Sequence, residues 1–157
     1  MRVVRTSEIF KILSIPSLGK YTNGLKLRTG SEPYFVKERG KYVCKDKEMD
    51  YAMVLEYVDK DWVIQLSNSE DYNNIYLAAI FVKNKGKGIG TELMNKILDY
   101  CDENGYKLFL HPFPLEYTKS NFNPKKALPL FYKLKDWYKS FDMVEQEDGY
   151  MVYTPQT

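Results

Sequence analysis

The chain has 157 residues, 44% of them hydrophobic and 15% aromatic, which suits a single globular domain with its own core. Its formal net charge of +2 supplies no broad attraction for nucleic acid, and neither a run of about eighteen apolar residues nor a secretory-type apolar leader marks membrane insertion or export. Cys44 and Cys101 are too few for a disulfide framework or a zinc set, and a single histidine, His111, excludes a histidine-rich metal site, so the chain reads as a soluble, reduced, cytoplasmic protein without metal.

Ser7 is placed to cap a short helix whose apolar face is Ile9, Phe10, Ile12 and Leu13, and Pro16 and Gly19 then break it. Residues 16 to 33 carry Pro, Gly, Ser, Thr and Asn and read as irregular. Strand patterns follow over Tyr34–Lys37, Lys41–Cys44, Ala52–Val58 and Trp62–Leu66, with Asp59-Lys60-Asp61 as the turn between the last two. After a polar loop over 67–74, Ile75–Val82 is apolar almost throughout, the pattern of a central strand covered on both faces. From Thr91 to Asn104 the residues Leu93, Met94, Ile97, Leu98 and Cys101 share one helical face, and Gly105 is placed as the C-terminal cap. Tyr106–Leu110 is a further strand, which makes a β–α–β unit with parallel strands.

His111-Pro112-Phe113-Pro114 ends that strand, and residues 115 to 127 are not assigned. Pro129 fits the first turn of a helix along which Leu130, Phe131, Leu134, Trp137, Tyr138 and Phe141 recur. Asp148-Gly149 marks a closing hairpin. The order of elements gives one α/β domain with a mixed sheet.

The run Lys85-Gly86-Lys87-Gly88-Ile89-Gly90-Thr91 between the Ile75 strand and the Thr91 helix carries the chemistry. A glycine-rich turn at a helix N-terminus presents backbone N–H groups to an anion, and phosphate is the usual occupant. No lysine follows Gly90, so this is not a Walker loop, and Thr91 stands where a dinucleotide fingerprint needs its third glycine. The plain alternative is a loop that only turns the chain.

The spacing G-x-G-x-G, preceded by the basic Lys85, resembles the acyl-coenzyme A loop of the GNAT family of N-acetyltransferases, with Lys85 in the Arg/Gln slot and Gly88 and Gly90 as the family glycines. Leu134 to Val144 resembles the last GNAT helix and its exit. Trp137 and Tyr138 fall on the Phe-Tyr pair and Phe141 on the next aromatic, while Asp142 and Met143 replace the usual glycine and phenylalanine. The resemblance covers residues 75 to 154 and leaves 1 to 74 as the acceptor-side part. It implies the GNAT fold, a mostly antiparallel sheet with a splayed parallel strand pair and flanking helices. It implies acetyl-CoA as co-substrate, with its pantetheine arm on the backbone of Phe81 and Val82 and its pyrophosphate over Lys85, Gly86, Lys87, Gly88, Ile89, Gly90 and Thr91. An amine attacks the thioester, and Tyr138 gives the departing thiolate its proton, with Tyr132 the second choice. A free amine must first lose a proton. The family's strand glutamate is missing here. Glu70, Asp71, His111 and Glu116 are the available bases, and His111 is the best placed of them, although a structural role suits it too.

The acceptor amine is not legible, and a homodimer is open. A GNAT-fold interaction module without turnover is the main alternative. The pair Lys125-Lys126, with 14 tyrosines, gives only a thin case for nucleic acid.

Overall fold

Arg39 (φ 50°) and Gly40 (φ 79°) both take the left-handed region, the conformation that matches a tight turn to the twist of its flanking strands. In this computed structural model, which describes residues 15–20, 25–68, 74–114 and 123–156, the turn joins β1 (Leu25–Glu38) to β2 (Lys41–Val58). Both strands are longer than the sequence suggests. Much of the stretch expected to be irregular belongs to β1, and the charged run Lys45–Asp50 lies inside β2. The backbone bonds of a hairpin form without a buried face, so a polar run is no obstacle there, and Lys45 pairs with Glu38 across the two strands. The helix expected after Ser7, and the carboxylates Glu70, Asp71 and Glu116, lie outside the described residues.

The chain divides into two compact units. The first is Tyr51–Phe109 with the described terminal segments, and the second is Thr29–Asp50 with Leu110–Tyr153.

In the first unit the strand order is β2–β3–β4–β5, with β3 at Trp62–Asn68, β4 at Asn74–Val82 and β5 at Lys107–Leu110. β2, β3 and β4 are antiparallel neighbours. Asp59 N donates to Trp62 O at 2.9 Å, which closes the expected turn over 59–61. β4 and β5 are parallel and are joined by α1 (Ile89–Asn104), so the β–α–β unit is present. α1 begins at Ile89 rather than at Thr91, because Gly88 in the left-handed region serves as its N-cap. Its stripe of Leu93, Met94, Ile97, Leu98 and Cys101 is buried throughout, and the helix packs on β4. Gly105 (φ 70°) ends it, with Tyr106 N donating to Cys101 O at 3.0 Å. Burial pushes the Cys101 thiol up to about 12, which makes it an inert core group.

One face of the sheet, Leu55, Tyr57, Ile64, Leu66, Ile75 and Leu77, is buried and apolar. The Tyr57 hydroxyl accepts the Ile15 N–H at 2.7 Å and so ties in the short 3-10 turn Pro16–Leu18, which packs on α1. Cover on both faces of β4 was expected from its composition. Ile75 and Leu77 are buried, but Phe81 is 50% exposed. The partner strand β5 has only 4 residues and cannot shelter the far end of β4.

The second unit packs α2 (Pro124–Lys139) against the β1–β2 hairpin through Phe35, Ala127 and Phe131, with Tyr42, Phe113 and Leu128 around them. α2 starts before Pro129. Asn123 accepts the Lys126 N–H at 3.2 Å, and Pro124 takes the first position, where its missing donor costs nothing. Pro129 therefore lies inside the helix and removes one backbone bond there. The buried seam is Ala127, Phe131, Lys135 and Tyr138. After the helix, Asp142 takes φ 65°, the left-handed exit that its replacement of glycine required. Among the described residues no helix is long and apolar enough to cross a membrane.

β6 (Val144–Glu145) and β7 (Met151–Tyr153) form the expected antiparallel hairpin, with Gly149 at φ 90°. A Cβ on Gly149 would stand 2.6 Å from the Phe35 carbonyl oxygen. Gly149→Ala combines that clash with an unfavourable φ and is expected to lose about 1–3 kcal/mol of stability in urea denaturation. Unchanged stability would show that β1 does not hold the turn this closely.

Candidate active site

β4 pairs with β5 only through Asn74–Tyr76, against Lys107–Phe109, among the described residues. It then runs on to Val82 with β3 as its neighbour. The β3 register passes from Leu66↔Leu77 to Gln65↔Ala79, so Ala78 is an extra residue in β4. Such a bulge increases local twist and bends a strand away from its partner. Beyond Tyr76 the described pairing of β4 is with β3 alone, which leaves along Ala78–Val82 a strand edge of the kind that can take an extended, amide-bearing ligand in the manner of an added strand.

The strand leads directly into the glycine loop. Lys83 N donates to Asp61 O at 2.8 Å, which anchors the start of the loop on the β2–β3 turn. Residues 83 to 88 are exposed. Gly86 (φ 87°) and Gly88 (φ 78°) both take conformations that other residues adopt with strain, and their Cα positions have open space around them. Glu92 N, bonded to Gly88 O at 3.0 Å, makes the first intrahelical bond of α1. The amides of Ile89, Gly90 and Thr91 precede it, and the N-cap offers no side-chain acceptor. Phe81, Val82 and residues 85 to 91 follow one another along this strand end and loop.

The expected catalytic residues belong to the second unit. Tyr138 is buried on the α2 seam, whereas Tyr132 is 42% exposed. His111 is half-buried. Its ring stacks on Tyr150 with centroids 3.7 Å apart and lies 4.7 Å from Tyr34.

One polar pair escaped the sequence reading. Glu56, in the middle of β2, is buried, and its Oε2 accepts from Gln65 Nε2 at 2.5 Å across the β2–β3 pair. A lone acid in the apolar run Ala52–Val58 was the available signal, but only the register shows what it faces.

A family model described as the acetyltransferase (GNAT) family matches residues 32–121. The chain belongs to the GNAT acetyltransferase family. No curated protein matches the chain. Among solved structures it is similar to the crystal structure of the anti-CRISPR protein AcrVA5, with 19% identity and a TM-score of 0.49 over 64% of this chain and 98% of that one.

A second buried polar group lies beside Tyr138 in sequence. The Lys135 ammonium donates to the Tyr42 hydroxyl at 2.6 Å, and that hydroxyl donates to Glu145 Oε2 at 2.6 Å. Lys135 also stands 4.4 Å from the Tyr42 ring centroid and 3.9 Å from Glu145. Burial, and then the Glu145 carboxylate, push the Tyr42 phenol well above its ordinary value, so it stays a neutral bridge between the two charges. Tyr42→Phe removes the bridging oxygen and leaves both charges short of a partner. An expected loss of about 1–3 kcal/mol in denaturant unfolding tests this, and no loss would show the bridge to be dispensable.

Proposed function

We propose that the protein transfers an acetyl group from acetyl-coenzyme A to a primary amine by direct attack of the amine on the thioester. The observation that carries this reading is the continuity of the β4 edge beyond Tyr76 with the glycine loop at the start of α1. The pantetheine arm is an extended chain with amide groups, suited to the backbone of Phe81 and Val82. The pyrophosphate is suited to the amides of residues 86 to 91, where the helix N-terminus favours negative charge. Lys85 and Lys87, exposed on the same loop, add positive charge.

In the proposed reaction the neutral amine adds to the thioester carbonyl, the carbon–sulfur bond breaks, and the departing thiolate takes a proton. Tyr138 is the proposed donor: it keeps the family position, and its burial sets it apart from the exposed Tyr132. His111 remains a proposed proton acceptor for the ammonium, although its ring contacts with Tyr34 and Tyr150 also describe a packing role. No covalent intermediate on the protein is required.

Acetyl-CoA and free coenzyme A, but not ATP, are expected to raise the melting temperature; at 100 times Kd the gain is ~2.7 kcal/mol. Gly88→Asp is expected to abolish that shift. The Gly88 position has room for a Cβ, and Asp tolerates positive φ as Asp142 does, so the variant tests the anion site rather than the fold. Normal coenzyme binding by Gly88→Asp would place the phosphates elsewhere. Tyr138→Phe is expected to lower amine-dependent thiol release at least ~100-fold while leaving the acetyl-CoA shift intact. Full turnover in that variant would remove Tyr138 from the mechanism.

A further inference from the structure

Two features of the second unit fix the imidazole of His111, which opens the run His111-Pro112-Phe113-Pro114 directly after β5. The backbone is one. His111 and Phe113 each precede a proline, which favours extended conformations at both. Phe113 stacks on Phe35 with ring centroids 5.5 Å apart, and Phe35 is buried in the core of this unit. The other is the ring itself. Tyr150, immediately before β7, stacks on it with centroids 3.7 Å apart and 29° between the planes. Tyr34, beside Phe35 on β1, lies 4.7 Å away at 37°. Gly149 brings Tyr150 to this place, since it packs so closely on β1 that a Cβ there would reach the Tyr34 ring at 3.4 Å. Three segments far apart in sequence thus converge on one imidazole. The ring cannot turn about χ2 without losing its contacts, and its Nδ1 is buried while the residue as a whole is half-buried.

We propose that Tyr34 and Tyr150 are positioning residues for proton transfer: they hold the His111 imidazole in one orientation and stabilise the imidazolium it becomes on taking a proton from the acceptor ammonium. This role rests on the transfer reaction proposed above, whereas the stack does not. The proton leaves the acceptor nitrogen, whose electron pair is freed to attack the thioester carbonyl, and becomes the second N–H of the imidazolium. Phenol rings stacked on a cation attract it through their π electrons, so they favour the protonated ring over the neutral one. Charged groups on the packed elements act in the same direction. Among the described residues, β1 brings Glu32, two positions before Tyr34 and so on its face of the strand. The turn before β7 brings the exposed Glu147 and Asp148, and Asp148 accepts the Tyr150 N–H at 3.1 Å. Lys45 of β2 lies near Tyr34, but its charge is paired with Glu38. Burial opposes protonation, and the half-burial of His111 keeps that cost partial.

His111 is the only histidine in the chain, so its ring protons give an unambiguous NMR titration. Tyr150→Leu and Tyr34→Leu keep apolar bulk beside the imidazole and remove a π face, while Tyr150→Phe keeps the face and removes only the hydroxyl. In each Leu variant the titration midpoint is expected to fall by about 0.5 pH unit, a roughly threefold loss of proton affinity, and in Tyr150→Phe to return to the original value. The acid limb of the pH profile for amine-dependent thiol release is expected to move with it, downward in the Leu variants and back in Tyr150→Phe. The two tyrosines lie on different elements, so either Leu variant alone decides if the other does not fold. A midpoint that stays in place in the Leu variants, a fall of equal size in Tyr150→Phe, or a pH profile that stays while the midpoint moves overturns the proposal. A midpoint that behaves as expected in a protein that releases no thiol with any amine at any pH removes the transfer reaction and the role in it, and keeps the stack as a stabiliser of the imidazolium.

Discussion

Among the described residues, β4 is paired on both sides only at Asn74–Tyr76. After Tyr76 the pairing with β5 ends, and the extra residue at Ala78 turns the strand while β3 continues to hold its other edge. A sheet edge of this kind cannot lie buried and unsatisfied, since each lost amide bond in an apolar setting costs on the order of 1–3 kcal/mol. It has to face water or a ligand that bonds like a strand. The loop at its end has the same property for a different reason: the first amides of α1 precede any intrahelical partner, and glycine at the N-cap brings no side chain to accept them. Two ordinary rules of secondary structure thus leave adjacent sets of donors, and the coenzyme reading depends on their being adjacent.

The two units place charge in their interiors differently. In the second, Lys135 and Glu145 meet through the Tyr42 hydroxyl, so charges of opposite sign are joined by a neutral bridge inside an aromatic cluster. That arrangement fixes α2 against the hairpin. In the first, Glu56 is buried and accepts from the Gln65 side-chain amide across β2 and β3. An ion pair joined through a neutral bridge holds the elements that carry it together.

Features that depend on a few neighbouring residues were legible in the sequence. The α1 stripe, the Gly105 cap, the turn over 59–61 and the Gly149 hairpin are each written within a few residues, and each is present. The glycine loop lies between β4 and α1, where the spacing put it. The short strand patterns Tyr34–Lys37, Lys41–Cys44 and Ala52–Val58 were legible, but not the full length of β1 and β2, because the polar residues between and before them carry no apolar alternation to read. The start of α2 was missed because Pro129 drew the boundary, while Asn123-Pro124 carried the capping signal earlier in the chain. Glu56 finds a partner in Gln65 on the neighbouring strand, and such a cross-strand pair exists only once the register is known. Lys135, in a helical pattern where lysine is ordinarily solvated, is explained only by Tyr42, 93 residues away in sequence.

That last separation bears on how the chain reaches its fold. The first unit draws most of its contacts from one continuous stretch, Tyr51–Phe109, with β2, β3, β4, α1 and β5 following one another closely. The second is assembled from two pieces, Thr29–Asp50 and Leu110–Tyr153, that flank it in sequence. Closing a long loop before any contact rewards it slows folding, whereas short-range contacts form early. Once the inner stretch has condensed, the effective loop between the outer pieces is no longer the full chain length between them but the distance between the ends of a folded body. The Tyr42–Lys135 bond, 93 residues apart in sequence, therefore carries a larger closure cost than any bond within the inner stretch until that stretch has condensed.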